Sequence, residues 1–228
     1  MGHTIIIKTT TMITDAQLLR LQTWLSPAFP VGAFGYSHGL ETVIQAGTIA
    51  AADDLGAWIT GLIEFGSGWT DAVLFAAAWR AAGEAALLAD IAELAQALSP
   101  SMERRRETLG QGEAFLIAAE AWGEPPLRGA VAYSVAVGAI CGDAGIPLQA
   151  SLAAFLHAFA ASLISVAVRL VPLGQIQGVA VIAALEPLLL ATAERAAVSS
   201  LDSLGAAALL SDIASMQHET LASRIFIS

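Results

Sequence analysis

Residues 147–171 read PLQASLAAFLHAFAASLISVAVRLV. From Ala150 to Val168 there is no Asp, Glu, Lys or Arg, and the run is too long for a buried strand, so it reads as a helix that Pro147 opens and Val171 closes. Nineteen helical residues are just enough to cross a bilayer, and a small helical integral membrane protein is therefore the alternative to be weighed. Against it, the stretch is rich in Ala and Ser, contains His157, and ends at Arg169 with neither an aromatic belt nor a Lys/Arg-rich flank. The next apolar run, Val179 to Ala193, is broken by Glu186 and Pro187. A central helix in a helical bundle is the favoured reading.

Outward from this helix, Ala, Leu, Glu and Gln dominate and β-branched alternation is scarce after Thr14, so no sheet is expected. Thr14 and Gln17 fit a capping box that opens a helix through Leu25, stopped by Pro27. A Pro/Gly-rich loop leads to a short helix from Tyr36 to Ala46 with Gly47 as its C′ residue. Asp53 and Asp54 sit in the first turn of the next helix. Further helices are expected over Thr70–Ala82 and Glu84–Leu98, and Ser99 with Pro100 starts another that runs to Trp122. Pro125 and Pro126 open a segment to Cys141. After the central helix come one over Gln177–Val198, which Pro187 should kink or divide, and a last one over Asp202–His218. The expectation is an all-α, single-domain bundle of nine to ten helices spanning residues 15–218. A lead-in at 1–14 precedes it and a tail at 219–228 follows, with three apolar residues among its last four and nothing after them as cover.

The chain has 228 residues, enough for one well-buried core. Hydrophobic residues make up 56% and charged residues 13%, where about 25% charged is usual. So little charge leaves apolar surface that must meet either a partner chain or lipid. A formal charge of −10 argues against a nucleic-acid backbone as partner. Cys141 is the single cysteine, which excludes an intrachain disulfide and a cysteine-based metal framework and suits the cytoplasm. Residues 1–14 lack a basic region ahead of a long apolar run and do not read as a signal peptide.

No G-x-S-x-G elbow is present, and the histidines at 3, 38, 157 and 218 form no i, i+3 or i+4 pair. Neither an enzyme, a metal site nor a cofactor is expected. Gly32, Gly35 and Gly39 read as a turn that needs backbone freedom rather than a phosphate loop. His38 and Glu41, three apart on the expected short helix, should face the same way. The run Glu103 to Glu107 (ERRRE) reads as a solvated helix face or as an interface anchor. Arg169 ends an apolar helix and must snorkel out or find an acceptor.

Four stretches together resemble the urease accessory protein F family. They are LLRLQTWLSPAFPVGAFGYSHGLE from Leu18 to Glu41, SMERRRETLGQG from Ser101 to Gly112, AVRLVPLGQ from Ala167 to Gln175, and MQHETLASRIFIS from Met216 to the terminus. Arg104, Gly110, Gln177 and Val179 depart from the family pattern. The resemblance implies an all-α homodimer without bond-making chemistry of its own. It would bridge the accessory protein called D or H and the GTPase called G, in an assembly that inserts nickel into the urease apoenzyme.

On that basis Phe34, Tyr36, His38 and Glu41 in the loop, with His218, Glu219, Arg224 and Phe226 in the tail, are expected to contact the D/H protein. An opposite region carrying Glu103, Arg105 and the loop at Gly174 and Gln175 would serve the dimer or the GTPase, and Arg169 is a further contact candidate. Arg105 and Arg224 are nominal arginine fingers for GTP hydrolysis.

Overall fold

The computed structural model describes residues 12–227; most of the lead-in expected at 1–14 lies outside that range. Among the described residues there are ten α-helices and no strands: α1 (Asp15–Trp24), α2 (Leu40–Gln45), α3 (Ala52–Phe65), α4 (Ser67–Arg80), α5 (Ala85–Ala97), α6 (Met102–Ala119), α7 (Tyr133–Asp143), α8 (Leu148–Leu170), α9 (Gln175–Val198) and α10 (Leu209–His218). They form one all-α domain.

Several ends are fixed locally, as the sequence implies. At α1 the Thr14 hydroxyl accepts the Gln17 N–H, and the Gln17 side chain accepts the Thr14 N–H. At the end of α2, Gly47 has φ 75° and donates its N–H to Ile44 while Thr48 donates to Val43, which closes a Schellman motif.

Other ends differ from expectation because distant residues decide them. The N-cap of α6 is Ser101 rather than Ser99: its hydroxyl accepts the Arg104 N–H, and the Glu219 carboxylate accepts the next free donors, the N–H groups of Met102 and Glu103. The helix α2 begins at Leu40, not Tyr36, because His38 (φ 58°) and Gly39 (φ 75°) are left-handed and turn the chain. At Gly39 a Cβ would also lie 2.9 Å from the Ser215 nitrogen, so α10 can approach here only over a glycine. The last helix starts at Leu209, since residues 204–208 have no helical hydrogen bonding and Ala207 donates its N–H to Phe65. Pro187 does not divide α9. Both Pro187 and Ala183, the residue whose carbonyl loses its helical donor, lie on the exposed side, where water can replace the bond.

The core forms around α8, which packs against α2, α3, α4, α7 and α9. Phe75, Phe115, Leu152 and Leu156 are among its fully buried side chains, each contributing roughly 1.5–3 kcal/mol by burial. The α4–α7 contact is backbone to backbone: a Cβ on Gly138 or Gly142 would come within 2.4 Å of the carbonyl oxygen of Phe75 or Trp79.

By length and composition α8 and α9 could each cross a membrane. The exposed side of α8, however, carries His157, Ser165 and Arg169. Large apolar side chains remain exposed elsewhere, including Ile176 and Val198 on α9 and Leu209, Leu210, Ile213 and Met216 on α10. On α10 the usual arrangement is reversed, because Ser211, Ala214, Ser215 and His218 face inward.

Candidate partner-binding site

The site starts from two buried carboxylates. Glu41 on α2 is fully buried and accepts the backbone N–H groups of Ile225 and Phe226 at 2.8 and 3.1 Å. Glu103 on α6 accepts the guanidinium of Arg224 at 2.6 Å. His218, at the end of α10, lies between them, with Nδ1 2.8 Å from Glu103 and Nε2 3.2 Å from Glu41. The C-terminal segment is thus held on both sides by ionic hydrogen bonds, which are about twice as strong as neutral ones.

The segment then lies against the loop before α2. Phe226 is buried, and the guanidinium of Arg169, from the end of α8, stacks 4.5 Å from its ring centroid. The same guanidinium donates two 3.1 Å hydrogen bonds to the Phe34 carbonyl, and Ile227 donates its N–H to Gly35 at 2.8 Å. Phe34, Ile225 and Ile227 are left 73%, 76% and 65% exposed. The tail expected to be without cover is therefore half docked: its backbone and Phe226 are fixed to the domain, and the two isoleucines flanking Phe226 face outward.

A second polar cluster lies deeper. The Arg104 guanidinium pairs with Glu107 and reaches Asp71 at 3.9 Å, while the His38 ring contacts Glu107 at 3.5 Å and the Ser67 hydroxyl at 2.6 Å. Burial, reinforced by the Arg104 charge, holds His38 below its usual range. Burial would raise Glu107, but Arg104 and then His38 outweigh it and hold the carboxyl at about 2. Asp71 moves up, through burial, against the charge of Arg104. Neutral His38 then donates from Nδ1 to Glu107 and accepts from Ser67. This cluster floors a cavity of about 270 Å³ whose walls include Tyr36, Phe159 and Arg169. A smaller cavity of about 140 Å³ shares Asp71, Arg104 and Thr108 with it. Among the described residues, no group of three or more His, Cys, Asp or Glu side chains could hold a metal.

The family model described as UreF matches residues 49–186. A urease accessory protein UreF from Mesorhizobium japonicum is 51% identical over 214 residues, covering 92% of this chain and 96% of its own length. The urease accessory protein UreF 1 of Brucella canis is 49% identical over 98% of this chain and all of its own, and the UreF protein of Rhodopseudomonas palustris is 49% identical over 93% and 94%. The chain belongs to the UreF family of urease accessory proteins.

In this UreF-family chain the four motif stretches converge only in part. Phe34, Glu41, Glu103, Arg169, His218, Glu219, Arg224 and Phe226 form one connected patch. Glu103 therefore does not lie in an opposite region, and three of the five residues in the 103–107 run are buried rather than solvated: Glu103, Arg104 and Glu107. His38 and Glu41 do not share a face, because the left-handed turn at His38 sends its ring to Glu107 and Ser67. Tyr36 lines the large cavity, and burial and then the Glu107 charge raise its hydroxyl.

Arg105 is exposed and donates to Gln96. Gly174 and Gln175 lie at the start of α9, where the Gly174 N–H bonds Gln177, and among the described residues no hydrogen bond, ion pair or ring contact joins them to the patch. Two residues of the deeper cluster, Asp71 and Ser67, are not singled out by the sequence. Asp71, one turn into an apolar helix, was the readable signal.

Proposed function

We propose that this urease accessory protein acts as a non-catalytic scaffold in the cytoplasm, working as a homodimer. It joins the D/H accessory protein to the GTPase G in the complex that inserts nickel into the urease apoenzyme. The observation that carries the reading is the docked C-terminal segment. Two buried carboxylates, a histidine and two arginines are spent on fixing a short peptide whose side chains at Ile225 and Ile227, beside Phe34, then face solvent. A chain that stood alone would gain nothing by holding apolar groups there, whereas a preformed apolar patch with a polar rim is what a protein partner docks on. The reversed face of α10 supplies more such surface. Family membership names the partners' class.

The test is co-purification of the full chain with the D/H and G proteins after Phe34, Ile225 and Ile227 are each replaced by Ser. All three are exposed, so the fold should persist. Loss of the complex with an unchanged melting transition supports the assignment, and an undiminished complex rejects this patch as the docking surface. Deleting residues 217–228 is a poorer test, because it also removes buried His218 and Phe226.

A second reading, a share in the passage of nickel cargo, is favoured by the two cavities that meet at Asp71, Arg104 and Thr108. Modulation of GTP hydrolysis would fall to Arg105 rather than Arg224, whose guanidinium Glu103 already engages. Replacing each by Ala and measuring GTP turnover in the assembled complex separates the two.

A further inference from the structure

The two nitrogens of His218 pose a chemical constraint. Each faces a carboxylate oxygen, Nδ1 that of Glu103 and Nε2 that of Glu41, and an ionised carboxylate only accepts. Both bonds exist together only when both nitrogens carry protons. The side chains of His218 and Glu41 are fully buried, and that of Glu103 is 5% exposed.

The groups facing this ring are Glu41 from α2, Glu103 from α6 and, beyond Glu103, Arg224 from the tail. Glu219, the next residue, turns to the N-terminus of α6, and Asp212 on the same helix faces Arg104 and His38. With Arg224 and an imidazolium opposite two carboxylates the cluster is neutral. With a neutral imidazole, one nitrogen lone pair is turned on a carboxylate and a buried negative charge is left uncompensated.

We propose that His218 is a proton-dependent clasp for the C-terminal segment. While the ring is protonated, Glu41 and Glu103 are both neutralised in place and the tail lies docked with Phe226 buried. Loss of the proton sets the two carboxylates against each other and frees residues 219–227. The direction follows from the partners: a cation held between two anions stabilises the docked form, and losing its proton removes that contribution. The clasp does not depend on which protein meets the patch, so it can fail while the scaffold reading stands, and the reverse.

The test is amide hydrogen exchange of the full chain from about pH 6 to about pH 9, spanning the range where imidazoles titrate. Rates at Ile225 and Phe226 are divided by the intrinsic chemical rate at each pH. Protection there should fall tenfold or more across the range, while that of Val73 to Ala78 in α4 stays constant. In the H218Q variant, whose amide can serve only one carboxylate and never ionises, tail protection should be low and flat.

Should H218Q fail to fold, nitrogen chemical shifts of the His218 ring in the unmodified chain decide, since they read both protons directly. Tail protection that is flat with pH in the unmodified chain, or a ring found neutral while the tail is docked, overturns the clasp.

Discussion

The Glu41 carboxylate accepts the backbone N–H groups of both Ile225 and Phe226, residues 184 and 185 positions away along the chain. The C-terminal segment is thereby part of the domain's polar core, and the short loop helix α2 depends on it for the partners of a fully buried charge.

Replacing Glu41 with Ala leaves His218 and two backbone donors without their acceptor. Breaking a buried, hydrogen-bonded ion pair from one side costs about 3–5 kcal/mol, so E41A should lower unfolding stability by about 3 kcal/mol or more. Urea denaturation measures it, and exchange protection of the tail should vanish in native conditions. A loss below about 1 kcal/mol would mean that the tail is not docked in solution.

Arg169 acts through shape as well as charge. Its planar fork donates to the Phe34 carbonyl while its face covers the Phe226 ring. Lysine keeps the charge but can neither fork nor stack. R169K should therefore resemble R169A, each costing about 1 kcal/mol, read by thermal melting. Full rescue by lysine would show that charge alone matters there.

How much of this was legible in the sequence depends on the range of the interactions. The Thr14–Gln17 box and the Gly47 cap are made within a few residues, and the sequence alone places them. The burial of Glu103 and Glu107 is not readable in that way, because their histidine partners lie 115 and 69 residues away. A charged run on a helix looks solvated until the fold brings another helix over it. The same holds for the start of α6, which a carboxylate 117 residues distant helps to cap. The family resemblance brought most of the patch residues forward together but not their grouping, which separated Glu103 from the tail it binds.

The Arg104–Glu107 pair gives an acid limit. Glu107 titrates at about 2 in the folded chain against 4.5 unperturbed. A depressed carboxyl contributes stability above its unfolded value, and loses it as pH falls through the folded one. Stability should thus decline between about pH 4.5 and about pH 2, with raised Asp71 opposing part of the change. In E107Q that segment of the stability curve should flatten. Unfolding followed by circular dichroism at fixed urea across this range checks both.

Cys141 is fully buried on α7, and burial pushes its thiol up to about 12 against a hydrogen bond with Ser151. A thiol that is both inaccessible and protonated is inert. Labelling by a disulfide reagent at neutral pH should then proceed only through unfolding, with a rate that rises with denaturant in step with the global transition. Fast labelling of the native chain would mean that α7 opens locally.

The α4–α7 contact is sensitive to a single methyl group. An added Cβ at Gly138 would sit 2.4 Å from the Phe75 carbonyl oxygen and 3.0 Å from its Cα, both backbone atoms that cannot rotate away. The two helices must separate to admit it, which strains every buried neighbour along their length. Glycine costs up to about 1 kcal/mol in a helix relative to alanine, so on propensity alone G138A would stabilise. Overpacking of about 1–3 kcal/mol opposes this gain and should exceed it. The expected outcome is a fall in melting temperature of several degrees, at about 2–4 °C per kcal/mol for a chain of this size. Ala at half-buried Gly56 in α3, where no atom beyond its own stretch of helix lies within 4 Å of the added carbon, should instead raise it. The pair of variants separates packing from propensity, since both positions are helical but only Gly138 has the backbone of another helix in the way of the added carbon.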